Sequence, residues 1–193
     1  MGISESWNRI IEWHDRNTPE GEFTLNPGAS SQALESFAQL IGEDLPDDFC
    51  ESYSMHDGGN FWLAHFGELM SLDNIKGEWK KYKEWQSEGE YAIDGDPLWN
   101  PRDLDGPIKP IFWNPKRIFF TDNGGGDHLA LDLDPPSDGS RGQVIYHSHE
   151  VGPKNCIAIS WNEFLGKFAD DLESGAYVYI ESEEMVAPPG MYD

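Results

Sequence analysis

Between residues 108 and 159, short apolar segments alternate with turns rich in Gly, Asp and Pro, and this pattern constrains the fold more than any other feature. The turns include DNGGGD and DPPSDGSRG, in which glycine permits positive φ angles and Asp side chains accept backbone hydrogen bonds. Short turns join antiparallel neighbours, because parallel strands need a crossover of a dozen or more residues. We therefore expect a twisted, mostly antiparallel sheet. Its predicted strands are Ile108–Trp113, Arg117–Thr121, His128–Leu133, Gln143–Ser148 and Asn155–Ile159.

Helical periodicity surrounds this strand region on both sides. Apolar residues recur at i, i+3, i+4 and i+7 over 31–41 and again over 161–174, which indicates two helices that cover one face of the sheet. Their buried residues are expected to be Leu34, Phe37, Ile41, Phe164, Leu165, Phe168 and Leu172. Further helices are predicted at Trp7 to about Arg16, after Pro46, and from an N-cap at Asp73, with a strand over Asn60–Phe66. This is an α+β pattern.

A chain of 193 residues fits one domain with a single hydrophobic core. Within 1–193 we interpret residues 1–30 as an N-terminal helix and loop. Residues 76–107, which become rich in Gly, Pro and Asp, are interpreted as an insertion or long surface segment. Residues 180–193 are interpreted as a tail.

The net charge of −23 limits the classes of partner that the chain can bind. Nucleic acids and anionic membranes are recognised through Lys and Arg, so direct binding to either is not expected. The charge is strongest over residues 121–193, where 14 acidic residues face 3 basic ones. Cys50 and Cys156 show neither CxxC nor zinc-ligand spacing, and no secretory signal begins the sequence, so a reducing cytoplasmic location is expected.

No standard catalytic signature is present, and we expect no enzymatic activity, cofactor or metal. DNGGGD superficially resembles a calcium loop, but it lacks the alternating ligands and final Glu of an EF-hand, which favours a plain hairpin turn. His147 and His149 share a face if their strand is regular, as do Asp132 and Asp134. A metal site of these four residues is one hypothesis. Polar residues on the wet face of a half-buried sheet are the alternative.

Three segments carry a resemblance to a known family. They are LPDDFCESYSMHDGG, then PIFWNPKRIFFTDNGGGDHLALDLDPP, and then GQVIYHSHE followed by ISWNEFLGKFADDLESGAY. In this order they resemble the opening helix, the central hairpin and the closing strands and helix of the SMI1/KNR4 (SUKH) family. The resemblance runs from about Ala33 to Tyr179 and implies an SMI1/KNR4-like fold.

The resemblance also implies a non-enzymatic binding protein. Family members include bacterial immunity proteins that neutralise polymorphic toxins and fungal regulators of cell-wall synthesis. The immunity role is our first hypothesis, with an electropositive toxin domain as the protein partner, and a regulator or scaffold of cell-wall synthesis is the alternative. The candidate partner-binding residues are the acids of the hairpin region, and they are expected to lie at one edge of the sheet: Asp122, Asp127, Asp132 and Asp134.

Overall fold

The computed structural model describes residues 2–89 and 104–191. Three helices come first: α1 (Ile3–Asn17), α2 (Ser31–Ile41) and α3 (Asp47–Met55). The bounds of α2 follow from its ends, since the Ser30 hydroxyl accepts the N–H of Ala33 and Gly42 closes the helix in the left-handed conformation. The predicted helix at 31–41 is confirmed.

The next elements differ from the expectation for residues 60–73. The predicted strand Asn60–Phe66 is reduced to an antiparallel bridge of Trp62 with Glu68, because the chain forms a 3₁₀ turn at Ala64–Phe66 and the strand β1 follows at Glu68–Leu69. Helix α4 spans Leu72–Glu88 and is capped by Ser71, which accepts the N–H of Asn74. The Asp57 carboxylate accepts the N–H of Leu72 at 2.7 Å. Because these two groups satisfy the first N–H groups of α4, the helix starts earlier than the predicted Asp73 cap.

The sheet forms where the Gly- and Asp-rich turns predict it. Strands β2 (Arg117–Phe119), β4 (His128–Asp132), β5 (Gln143–Ser148) and β6 (Gly152–Ala158) lie in the order β2-β4-β5-β6, with every pair antiparallel. The short strand β3 (Thr121–Asp122) leaves this sheet and pairs with β1. The chain ends with α5 (Trp161–Ser174) and a hairpin of β7 (Val178–Ile180) and β8 (Met185–Ala187). The α+β, antiparallel expectation is confirmed.

One face of the sheet packs on the main hydrophobic core, which α1, α2, α3 and α5 complete. The seven residues predicted to be buried by 31–41 and 161–174 are all buried. From the sheet, Leu129 and Leu131 of β4 and Val144 of β5 point into this core. Alternation along β4 therefore directs its leucines to this face and its polar residues to the opposite one.

The opposite face is covered as well, by α4 and by the segment 104–116. Tyr82, Ile108 and Trp113 pack there against Phe119 and Ile145 of the sheet. The result is a second, smaller apolar cluster. The polar side chains on that face of the sheet are buried beside it.

The predicted strand Ile108–Trp113 does not form within this covering segment. The guanidinium of Arg117 donates instead to the carbonyl oxygens of Ile111 at 2.6 Å and Phe112 at 3.3 Å. These carbonyls are thus satisfied by a buried side chain rather than by a neighbouring strand.

Two of the boundary expectations fall on segments that the structure describes in part. Residues 76–88 belong to α4, whereas 90–103 lie outside the described residues, so an insertion at 76–107 stays a prediction. The expected tail at 180–193 includes β8, whose Val186 and Ala187 are buried.

Candidate functional site

The four predicted partner-binding acids do not form one surface. Asp122 is exposed on β3, and Asp127 is partly buried just before β4. Asp132 ends β4 with no exposed surface, and Asp134 follows it, paired with Lys109 through an Nζ–Oδ1 distance of 2.7 Å. Of these four acids, only Asp122 is both exposed and without an ion pair to a described residue.

Asp132 lies inside the cover of the second sheet face. It accepts hydrogen bonds from the Gln143 side chain and from the N–H of Asp134, and it sits opposite Arg117 in the β2–β4 register. Burial raises the pKa of Asp132, and the nearby charge of Arg117 opposes that rise. In this conformation Asp132 has no exposed surface, and the Gln143 side chain that donates to it also donates to the Pro107 carbonyl of the covering segment. A role for Asp132 in partner binding stays a prediction.

Asp127 organises the β4–β5 end of the hairpin. Partial burial disfavours its charge, but hydrogen bonds from the His149 N–H, the His149 ring and the Tyr146 hydroxyl outweigh this and lower the pKa of Asp127 to about 2. The Tyr146 hydroxyl donates to Oδ2 of Asp127 at 2.8 Å, and Nδ1 of the His149 ring lies 2.8 Å from Oδ1 of Asp127. Asp127 thus has a structural role in this conformation.

The hypothetical metal site of two His and two Asp is not assembled. His147 is fully buried, whereas His149 lies beyond the end of β5, exposed and bonded to Asp127. Asp134 likewise lies beyond the end of β4. The alternation that would align each pair stops at the strand ends, so the members of each pair diverge. Among residues 2–89 and 104–191, no group of three or more His, Cys, Asp or Glu could hold a metal ion.

Asp122 forms part of the wall of an open groove of about 580 Å³ between α4 and the β1–β3 pair. The groove is also lined by Trp62, which is partly buried, by Glu68 of β1, and by Glu78 and Lys81 of α4. Carboxylates outnumber cations on its walls, so the groove is electronegative.

The two strands at the wall of the groove bring like charges together. Glu68 and Asp122 are direct partners in the antiparallel β1–β3 register. Burial, and then the charge of Asp122, raises the pKa of Glu68. Like charges directly opposite in a sheet are destabilising, so this pair costs the fold some stability.

A glycine permits this close approach of the two strands. Gly67 has φ of 112°, and a Cβ built on it would lie 2.5 Å from the carbonyl carbon of Asp122. Only glycine fits both the conformation and the space, which explains why β1 can reach β3 immediately after the 3₁₀ turn.

The remaining carboxylates of the groove already have cationic partners. Lys81 pairs with Glu78, and Lys76 pairs with Asp73 at 3.2 Å, both within α4. Neither Glu68 nor Asp122 forms an ion pair with a described residue.

A buried histidine lies behind the same wall. His128 is 2% exposed, and its Nδ1 lies 2.6 Å from the carbonyl oxygen of Thr121. A carbonyl can only accept, so Nδ1 carries the proton and Nε2 of the neutral ring is an acceptor. That Nε2 has no hydrogen-bond partner and lies 3.8 Å from Oε1 of Glu78. Burial lowers the pKa of His128, which keeps the ring neutral.

The sequence reasoning identified Asp122 and missed the other residues of the groove. Trp62 and Glu68 were assigned no role in binding, although both line the groove. Gly67, directly after the NFWLAHF segment, was the signal that a turn and not a strand precedes Glu68. The pairing of β1 with β3 joins residues more than 50 positions apart, and no local pattern indicates it.

Comparison with known proteins places the chain in a family. The profile of the SMI1 / KNR4 family (SUKH-1) matches residues 28–167, which is most of the chain. The chain belongs to this family. The SMI1/KNR4 fold expected from the three sequence segments is therefore confirmed.

Several similar proteins of this family are named as regulators in fungi. One is the cell wall biosynthesis/cell cycle regulator smi1 of Schizosaccharomyces pombe, 29% identical over 94% of this chain and 38% of its own length. The glucan synthesis regulatory protein of Neurospora crassa is 25% identical over 93% of this chain and 40% of its own. The cell wall assembly regulator SMI1 of Saccharomyces cerevisiae is 22% identical over 95% and 43%. The chain thus spans about two fifths of these relatives.

Across residues 2–89 and 104–191, no helix is both long enough and apolar enough to cross a membrane.

Proposed function

We propose that this chain is a non-enzymatic protein-binding module that regulates cell-wall synthesis. The observation that carries the proposal is the similarity over more than nine tenths of the chain to three fungal proteins named as regulators of the cell wall or of glucan synthesis. The matching region is a minor part of each relative, which fits a module that acts within a larger regulatory system.

The charge of the molecule supports an electropositive partner. The net charge is −23, and the groove between α4 and the β1–β3 pair exposes carboxylates that have no ion-pair partner among the described residues. An acidic surface of this kind accelerates the encounter with a basic partner and suppresses binding to acidic ones. The module works by binding, and a cytoplasmic location is part of the proposal.

Toxin neutralisation, our first hypothesis from the sequence, becomes the second candidate. The relatives described above are named for cell-wall regulation, which favours the regulator. An immunity protein would use the same acidic surface to cover a basic groove of a toxin.

A chimera tests the regulatory proposal. The matching region of the Schizosaccharomyces pombe regulator is replaced by this chain, and incorporation of labelled glucose into wall glucan is measured in cells whose own regulator is deleted. We expect the chimera to restore incorporation toward the wild-type value. A chimera that carries Phe168→Ala, which weakens the core, serves as the control for folding. A chimera that accumulates normally and leaves incorporation at the deletion value overturns the proposal.

A further inference from the structure

We propose that the cross-strand pair His128 and His147 makes the covering segment 104–116 acid-sensitive, so that in mild acid the segment leaves the sheet while the main core stays closed. This inference goes beyond the proposed function, because it adds a conformational change to the binding module. Phe119 and Ile145 lie under the segment. Its opening exposes them, so the surface offered to a partner differs between neutral and acidic conditions.

The first argument is the position of the two histidines. His128 and His147 are register partners in the antiparallel β4–β5 pair, so both side chains point to the covered face of the sheet. His147 has no exposed surface, and neither of its ring nitrogens has a hydrogen-bond partner. Its ring contacts Phe119 of the sheet and Phe112 of the covering segment, with centroid distances of 4.7 and 5.0 Å. A charged ring here loses its hydration and gains no acceptor in return.

The second argument is the charge around His147. Burial lowers the pKa of His147 well below 6.5, and the charge of Arg117 lowers it further. Protonated His128 and His149 act in the same direction, whereas Asp127 acts against them. Once the segment opens, water hydrates the ring, which then binds a proton near pH 6.5. The closed state is therefore most stable above pH 6.5 and loses stability as the pH falls.

The surroundings of His128 tolerate a positive charge better. Burial lowers the pKa of His128, but the Thr121 carbonyl and the charges of Glu78 and Asp122 oppose this, and Lys81 adds to it. Of the two histidines, His147 is thus the one whose protonation most requires the cover to open.

The third argument is the way in which the covering segment is attached. The Gln143 side chain donates to the Pro107 carbonyl at 2.8 Å, and the Arg117 guanidinium donates to further carbonyls of the segment. An isolated bridge joins the segment to β6. Parts of a fold that are held by few backbone hydrogen bonds open at lower free energy than the core. The main core lies on the other face of the sheet under α1, α2, α3 and α5, so release of the segment leaves it covered.

Hydrogen exchange of the full chain, followed by NMR at pH 7.0 and 5.0, tests the proposal. Division by the intrinsic exchange rate gives protection factors, which removes the pH dependence of the exchange chemistry. The Asp105 and Cys156 amides report on the segment, since they form the hydrogen bonds between it and β6. Amides within α5 report on the main core. We expect the segment to be less protected than α5, because it opens without the main core.

The segment should lose protection about 25-fold or more between pH 7.0 and 5.0, the change for one group that binds a proton at pH 6.5 only in the open state. His147→Leu removes that group, so the loss should be about 25-fold smaller than in the wild type. His147→Gln is the second variant, since it retains a polar side chain that does not titrate. Urea unfolding at pH 7.0 shows whether each variant folds.

The matched control is His14→Phe. It removes a buried histidine that packs against Phe61 of the main core. This variant should leave the loss of protection in the segment unchanged. Equal protection of the segment and α5 would overturn the inference, because the opening would then be global. The same loss in the wild type and in both His147 variants, or an equal reduction in His14→Phe, would also overturn it.

Discussion

Replacing His14 by Phe should make the protein more resistant to acid. The His14 ring is 3% exposed and lies among Trp13, Phe23 and Phe61, with ring centroids 4.5 to 5.2 Å apart. Neither ring nitrogen has a hydrogen-bond partner in the described structure. Burial lowers the pKa of His14 from 6.5 to about 4, because no neighbour compensates for the lost hydration of the charged ring.

The direction of the effect follows from proton binding in the two states. Below pH 6.5 the unfolded chain protonates His14, whereas the folded chain does so only near pH 4. Stability from the neutral ring is therefore complete above pH 6.5 and is lost progressively as the pH falls to about 4. At 1.36 kcal/mol per pKa unit, the shift corresponds to about 3 kcal/mol in total, of which about 2.5 kcal/mol is lost by pH 4.5.

The assay is urea unfolding of wild type, His14→Phe and His14→Gln at pH 7.0, 5.5 and 4.5. Both variants remove the titrating group, so each should lose about 2.5 kcal/mol less than the wild type between pH 7.0 and 4.5. Only Phe also removes the unsatisfied ring nitrogens, so His14→Phe should be the more stable variant at pH 7.0. Equal acid sensitivity in wild type and both variants would refute the reasoning.

Three further predictions concern the core, the buried charges and the net charge. Phe168→Ala should lower the free energy of unfolding by about 3–5 kcal/mol because the side chain is 3% exposed, and a loss under 1 kcal/mol in urea unfolding would contradict this. Arg117→Met should lower the free energy of unfolding by about 3–5 kcal/mol because Asp132 stays buried without its counter-charge. Adding Asp132→Asn to the same chain should restore part of that stability. A double variant no more stable than Arg117→Met would show that the charge is not the cause. Because the net charge is −23, the melting temperature should rise from low salt to about 0.2 M NaCl in calorimetry, and a flat or falling trend would mean that the acids are already paired or too dispersed to repel.

The ends of the long helices could be predicted because their signals are local. Ser30 and Gly42 bound α2, and the capping box that starts at Ser160 begins α5. In each case the residue that satisfies the free backbone groups lies within a few positions of the helix end. The start of α4 could not be predicted, since Asp57, fifteen positions earlier, accepts the N–H of Leu72.

The candidate site was predictable only in part, because some of its contacts join residues that are far apart in the chain. Asp122 is in a turn region where an exposed acid is the expected outcome. The burial of Asp132 depends on the covering segment, and the partner of Asp122 is Glu68, which pairs with it through a long-range contact.

The sequence alone determined the α+β class, the antiparallel order of the hairpins and the apolar faces of α2 and α5, because periodicity, caps and turns are encoded by residues close together in the chain. The tertiary structure decided that both faces of the sheet are covered, which of the acidic residues are exposed, and that Glu68 faces Asp122. These outcomes depend on what packs against each strand, and the distance between the contacting residues in the chain leaves no local pattern from which to predict them.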